Sequence, residues 1–184
     1  MLELKVDTTE FYDENTNEFI YIKPVVLRLE HSLVSISKWE SKWKVPFLSF
    51  RKPEDEDQAA EQMLDYIKCM TINQNVDPLV YRALTTEHIK AIENYISEEK
   101  TATTFNNQRQ APNRQVVTSE LIYFWMSAYN IPMECQKWHL SRLLTLIRIA
   151  SIENQPKEKM TKKAIFDQNR SLNAARRKAL HTKG

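Results

Sequence analysis

The sequence predicts a mainly α-helical fold, a multi-helix bundle with a small N-terminal β-hairpin and a basic C-terminal helical tail. The 184 residues include one glycine, Gly184, whereas roughly 7% is usual, so the glycine turns of all-β proteins are missing. Apolar residues recur at helical spacing over most of the chain after residue 30. The net charge is −5 over residues 1–154 and +7 over residues 155–184. We therefore predict a helical domain over 1–154 and a basic tail over 155–184.

The first 29 residues have the pattern of an antiparallel β-hairpin. Apolar and charged residues alternate over residues 2–6, and a β-branched and aromatic run occupies residues 19–22. The polar residues 13–17 between these runs are typical of a turn. We expect Pro24 at a strand end or on an edge, because proline has no N–H to donate to a ladder.

Four helices are predicted between the hairpin and residue 98. Pro46 ends the first, and Glu40 and Lys42 are expected on its solvent face. Its apolar stripe consists of Leu33, Ile36, Trp39 and Trp43. The second helix starts where Pro53 is followed by four carboxylates, which favour the positive end of a helix. The starts of the third and fourth, at Asp77-Pro78 and Thr85, are indicated by N-cap residues.

The remainder of the chain predicts a loop and three further helices. The polar segment 98–118 lacks apolar periodicity and is expected to be a loop or linker. Ser119 is predicted to cap a strongly apolar helix. Residues 133–152 predict the most regular helix of the chain, with a wide apolar face. Thr161 can cap a basic helix that ends near Leu180.

The sequence contains no pattern typical of an enzyme. Without glycine there is no phosphate-binding loop, no dinucleotide turn and no nucleophile elbow. Cys135 and His139 have the spacing of metal ligands on one predicted helix face, but no second pair of ligands accompanies them. His31 beside Glu30 is expected to pack in the core or cap a helix, because no nucleophile is linked to it. We expect no catalytic activity, no cofactor and no metal.

Two groups of residues are candidates for partner binding. Trp39, Trp43 and Phe47 form the densest aromatic patch, which is either core or an interaction surface. The second group lies in the basic tail and comprises Arg170, Arg176, Arg177 and Lys178. These cations suit phosphates or an acidic partner, but no aromatic residue interleaves with them to stack on bases.

Three segments cover more than a third of the chain. They are residues 27–48 (LRLEHSLVSISKWESKWKVPFL), 119–152 (SELIYFWMSAYNIPMECQKWHLSRLLTLIRIASI) and 169–178 (NRSLNAARRK). Together they resemble proteins encoded in the tail gene clusters of long-tailed bacteriophages, usually described as tail assembly chaperones. The resemblance implies a small helical protein that is not an enzyme. Such a protein coats the tape-measure protein during tail assembly and brings tail-tube subunits to it.

Two other functions stay open at this stage. One is a permanent structural component of the phage tail or baseplate, and the other is a nucleic-acid-binding protein that uses the basic tail. Nucleic acid is the less favoured partner, and exposed hairpin edges are compatible with a homo-oligomer. The sequence has no signal-peptide pattern and no apolar run near the roughly 20 residues that cross a bilayer. We therefore expect a protein of the host cytoplasm.

Overall fold

A computed structural model of the chain describes residues 1–13, 17–49, 55–105, 116–154 and 162–180. The predicted fold class is confirmed, since the described residues are mainly helical and begin with an antiparallel hairpin. The α-helices are α1 (Leu33–Trp43), α2 (Glu56–Met70), α3 (Thr86–Ser97), α4 (Ser119–Ala128), α5 (Leu140–Asn154) and α6 (Lys162–Leu180). Short 3-10 helices span Phe47–Ser49, Pro78–Ala83 and Met133–Lys137. Contacts divide the chain into two units, Met1–Ser151 and Ile152–Gly184.

The N-terminal hairpin contains two successive antiparallel strand pairs. The strands are β1 (Leu2–Val6), β2 (Thr9–Asp13), β3 (Glu18–Ile22) and β4 (Val25–Leu29). β2 pairs with β3, and β1 pairs with β4. Residues 14–16 of the predicted turn lie outside the described residues. Pro24 lies between β3 and β4, so its predicted place at a strand end is confirmed. Proline is tolerated between the two strands because no backbone N–H has to donate to a neighbouring strand at this position.

The hydrophobic core of the first unit lies between the β1–β4 pair and the helices. α1 packs against α2 and α4, and β1 packs against α3. Fully buried aliphatic side chains from these elements and from α5 include Val6, Leu27, Leu29, Leu33, Ile36, Ile67, Ile92, Ile122 and Leu143. Each such side chain stabilises the fold by about 1.5–3 kcal/mol relative to exposure. The apolar stripes of the helices thus pack against the β1–β4 pair and hold the hairpin to the helices.

Local capping signals identify most helix starts correctly. The Asp77 side chain accepts a hydrogen bond at the start of the 3-10 helix Pro78–Ala83, and Thr85 caps α3. For α4 the cap is Thr118, one residue before the predicted Ser119, because the Thr118 hydroxyl accepts from the Leu121 N–H. The expected starts at Pro53 and Thr161, and residues 106–115 of the predicted loop, lie outside the described residues. Residues 98–105 and 116–118 form neither helix nor strand.

The prediction of one continuous helix over residues 133–152 is wrong. The chain forms the 3-10 helix Met133–Lys137, becomes extended at Trp138, and resumes as α5. His139 forms a β-bridge with Ser32, so backbone hydrogen bonds to a distant segment replace helical ones here. Tertiary contacts of this kind override local helix propensity.

The break also corrects the predicted placement of Cys135 and His139. Cys135 lies in the 3-10 helix Met133–Lys137, whereas His139 lies between this helix and α5, so the two do not share a helix face. Both side chains are buried. Within the described ranges, no group of three or more His, Cys, Asp or Glu residues is arranged to hold a metal ion.

The prediction that Glu40 lies on the solvent face of α1 is also wrong. Its side chain is only 7% exposed. One carboxylate oxygen accepts a 2.8 Å hydrogen bond from the Phe47 N–H, and the other accepts one of 2.8 Å from the Ser119 N–H. Because two backbone N–H groups donate to it, the Glu40 carboxylate can be buried at low energetic cost. Glu40 therefore connects α1 to the start of α4.

The second unit consists mainly of α6. The side chains described from Phe166 to Leu180 are all exposed, including Phe166, Leu172 and Leu180. Lys163, Arg170 and Arg177 are spaced by seven residues and share one face of this helix. In the part of the chain that the structure describes, none of the helices combines the length and apolar character needed to span a membrane.

Candidate partner-binding groove

An apolar groove of about 650 Å³ lies between α1, α2, α3 and the 3-10 helix Phe47–Ser49. Trp39 and Phe47, two of the three residues of the predicted aromatic patch, line it. α2 contributes Met63 and Tyr66, and α3 contributes Ile96. A concave site lined by aromatic and aliphatic side chains is the usual form of a binding pocket. We call it the acidic groove because of the charge described below.

The aromatic rings of the acidic groove pack against each other. The Phe47 ring lies 5.3 Å from Trp39 and 4.3 Å from Tyr66, measured between ring centroids. Trp39 and Tyr66 are each only 2% exposed, whereas Phe47 is half-buried. The Trp39 indole N–H donates to the Gln62 carbonyl at 3.1 Å. Trp39 is thus a core residue that also lines the groove, and Phe47 is the more accessible of the two.

Trp43, the third residue of the predicted patch, is absent from the groove lining. Trp43 is half-buried, and its ring centroid lies 6.3 Å from that of Trp39. The Lys42 ammonium lies 5.6 Å from the Trp43 ring centroid. Lys42 also pairs with Asp65. Burial alone would raise the pKa of Asp65, but hydrogen bonds from Lys42 and Lys68 outweigh it and lower that pKa. This side of α1 and α2 is held by a buried carboxylate and two lysines.

The groove carries negative charge and one unsatisfied acceptor. Glu56 and Glu93 are its only charged lining residues among those described, and both are exposed. The side-chain oxygen of Gln62 is buried and has no hydrogen-bond partner within the described residues. An unsatisfied buried acceptor is costly. The exposed carboxylates of Glu56 and Glu93 would favour an incoming cation at this surface.

The sequence indicates the groove residues on α1, α2 and the 3-10 helix Phe47–Ser49, but it does not indicate those on α3. Trp39 and Phe47 stand out as an aromatic cluster near Pro46, and the helical spacing of Met63 and Tyr66 marks them as apolar residues of α2. Glu93 has no comparable signal. Its contribution depends on how α3 packs beside α2, which is a tertiary arrangement.

The core interpretation of His31 is confirmed. Its side chain is 4% exposed. Nδ1 lies 2.5 Å from the Tyr66 hydroxyl, and the ring lies 5.1 Å from that of His139. Burial and the neighbouring His139 lower the pKa of His31 to about 4, and Glu30 opposes this effect. His31 is therefore neutral in the folded protein at physiological pH.

Stability should fall as the pH falls from 6.5 to about 4, because the unfolded chain protonates His31 over this interval and the folded chain does not. The free energy of unfolding lost between pH 7.5 and pH 4.5 is about 2.5 kcal/mol. Urea denaturation at pH 7.5 and pH 4.5 measures it. In His31→Gln the decrease should be smaller by this amount, while the contribution of Asp65 remains. An equal decrease in both proteins would contradict the assignment to His31.

The predicted tail residues are presented by α6. Arg170, Arg176, Arg177 and Lys178 all lie on this helix, and all four side chains are exposed. Arg170 and Arg177 are on the same face as Lys163. The tail is thus a regular helix with a basic face.

Comparison with known proteins returns no match: no family model matches the chain, and no curated protein or solved structure matches it.

Proposed function

We propose that the protein is a non-enzymatic assembly factor of long-tailed bacteriophages, a tail assembly chaperone that acts in the host cytoplasm. Its partners are the tape-measure protein and tail-tube subunits. The resemblance of residues 27–48, 119–152 and 169–178 to proteins of phage tail gene clusters supports the class. The acidic groove is the single structural observation that carries the binding role.

The groove suits a helix that presents apolar side chains beside basic ones. Helix-in-groove recognition uses apolar anchors at positions i, i+3 or i+4, and i+7. Such anchors would contact Phe47 and Met63, and a lysine or arginine of the same helix would meet Glu56 and Glu93. A tape-measure rod with exposed apolar stripes needs this kind of cover before the tube encloses it.

Phe47→Ala should weaken partner binding by about 2 kcal/mol, or about thirtyfold in Kd, because it removes the accessible ring of the groove. Co-expression with the tape-measure and tail-tube proteins, followed by pull-down and titration, measures it. Phe124→Ala is the matched control, since Phe124 is 64% exposed on α4 and does not line the groove. Wild-type affinity in a stably folded Phe47→Ala protein would argue against the groove as the binding site.

The structural-component alternative predicts a different location for the protein. Mass spectrometry of purified particles should find a chaperone absent or in trace amounts. Stoichiometric copies would instead identify a permanent component of the tail or baseplate.

The basic face of α6 favours nucleic acid as a second candidate partner. Lys163, Arg170 and Arg177 lie along one side of the helix, in a spacing that can follow phosphates. This alternative predicts binding to duplex DNA with a steep salt dependence. Arg170→Gln combined with Arg177→Gln should make the affinity for DNA fall less steeply with rising salt concentration. Removal of residues 155–184 should abolish DNA binding.

A further inference from the structure

A second pocket of the first unit, of about 570 Å³, has the opposite charge. Three cationic side chains from three elements line it: Lys100 after α3, Lys137 of the 3-10 helix Met133–Lys137, and Arg142 in the first turn of α5. Among the described residues, Glu30 is the only acidic one in the lining. A cluster of cations is notable here because residues 1–154 are acidic overall. We call this site the basic pocket.

Aromatic rings hold two of the three cations in position. The Arg142 guanidinium carbon lies 4.2 Å from the ring centroid of Trp138, and the Lys100 ammonium lies 5.3 Å from that of Tyr95. Such cation–π contacts fix a flexible side chain before a ligand arrives. Less conformational entropy is then lost on binding.

Lys137 and Arg142 form no ion pair with any residue that the structure describes. Lys100 is different, because it pairs with Glu98. The Glu30 carboxylate is occupied elsewhere, since it accepts a 2.6 Å hydrogen bond from the Tyr95 hydroxyl and lies 2.8 Å from the Met1 amino nitrogen. Two cations of the basic pocket are therefore available to an external anion.

The buried base of the pocket is rigid and already satisfied. His139 is 6% exposed, and its two ring nitrogens lie 3.0 Å from the Tyr95 carbonyl oxygen and 2.8 Å from the Ser141 hydroxyl. Tyr95 and His139 also pack edge to face at 5.0 Å. These groups position the walls, and they leave anion recognition to Lys137 and Arg142.

We propose that the basic pocket binds an acidic peptide segment of a partner protein. Arg142, whose planar guanidinium suits a carboxylate, and Lys137 would receive a side-chain carboxylate. The methylene stem and neighbouring apolar atoms of the peptide would contact the half-buried Trp138. The pocket has the volume typical of sites that bury both polar and apolar ligand atoms. An extended polyanion such as DNA is disfavoured, because two available cations neutralise few of its phosphates.

This inference does not rest on the proposed phage function, because it concerns a different surface from the acidic groove. The test is a titration of the full chain with an acetylated, amidated hexapeptide of alternating glutamate and alanine at constant ionic strength. NMR resolves the indole N–H groups of Trp39, Trp43, Trp125 and Trp138. Only the Trp138 signal should shift to saturation.

Arg142→Gln and Lys137→Gln should each weaken the binding seen at Trp138 by about tenfold or more. Lys38→Gln and Lys90→Gln are the matched controls, because they remove the same charge from exposed sites of α1 and α3 that do not line the pocket. The controls should keep the wild-type affinity. Melting temperatures of all four variants check that the fold is retained.

Three results would overturn the proposal. A Trp138 signal that stays fixed during the titration would mean that the pocket does not bind the peptide. An equal loss of affinity in the control and pocket variants would leave only general electrostatic attraction. Tighter saturation of the Trp138 signal by inorganic phosphate than by the peptide, at the same ionic strength, would identify a phosphate site instead.

Discussion

Trp39→Ala should lower the free energy of unfolding by about 3–5 kcal/mol, the range for truncation of a buried aromatic side chain. Trp39 is 2% exposed and packs edge-on against both Phe47 and Tyr66. The substitution leaves a large cavity between α1 and α2. It also removes the 3.1 Å hydrogen bond that the Trp39 indole N–H donates to the Gln62 carbonyl oxygen. Urea denaturation followed by far-ultraviolet circular dichroism measures the loss.

Trp43→Ala is the matched comparison for Trp39→Ala, because both residues lie on α1 and lose the same atoms. Trp43 is half-buried, and its indole N–H has no hydrogen-bond partner within the described residues. Its truncation should therefore cost less than that of Trp39. A loss below about 1 kcal/mol for Trp39→Ala, the typical effect of an average substitution, would show that the ring is not a core residue.

The Trp39 result also separates stability from partner binding. Because Trp39 is only 2% exposed, the loss of binding by Trp39→Ala should come mainly from the lower folded fraction. Phe47→Ala removes an accessible ring and should affect binding more than folding. The two substitutions therefore distinguish the interior of the aromatic patch from its surface.

The hairpin and most helix positions follow from local sequence. Alternation over residues 2–6 directs one face of β1 to the core, and short polar side chains such as Asp77 and Thr85 satisfy the N–H groups at helix starts within three residues. These signals act between neighbours in the chain. They can be identified without any knowledge of the tertiary structure.

The errors occur where a distant segment supplies the hydrogen bonds. The helix predicted over residues 133–152 breaks because the Leu140 N–H donates to the His31 carbonyl at 2.8 Å. The groove could be predicted in part, through Trp39 and Phe47, but the acidic side chain of Glu93 comes from a separate helix. The basic pocket combines side chains of three elements, and no single stretch of sequence indicates it. Periodicity and capping contain no information about such pairings.

Glu40 is the clearest case of a residue whose role depends on distant partners. By helical spacing it belongs to the polar side of α1, yet its carboxylate accepts from the N–H groups of Phe47 and Ser119, the second of which is 79 residues away. The bond to Phe47 holds the 3-10 helix beside the acidic groove. The bond to Ser119 holds the first residue of α4.

Glu40→Ala should therefore lower the free energy of unfolding by about 4 kcal/mol, because two backbone donors lose a charged acceptor and stay partly buried. Urea denaturation measures the loss, and amide hydrogen exchange at Phe47 and Ser119 should accelerate specifically. Glu61→Ala, which removes an exposed carboxylate from α2, is the control and should change stability by less than about 0.5 kcal/mol. Glu40→Gln should lie between the two, since an amide oxygen can accept from one N–H while its NH₂ group faces the other. Equal stability of Glu40→Ala and Glu61→Ala would contradict the bridging role of Glu40.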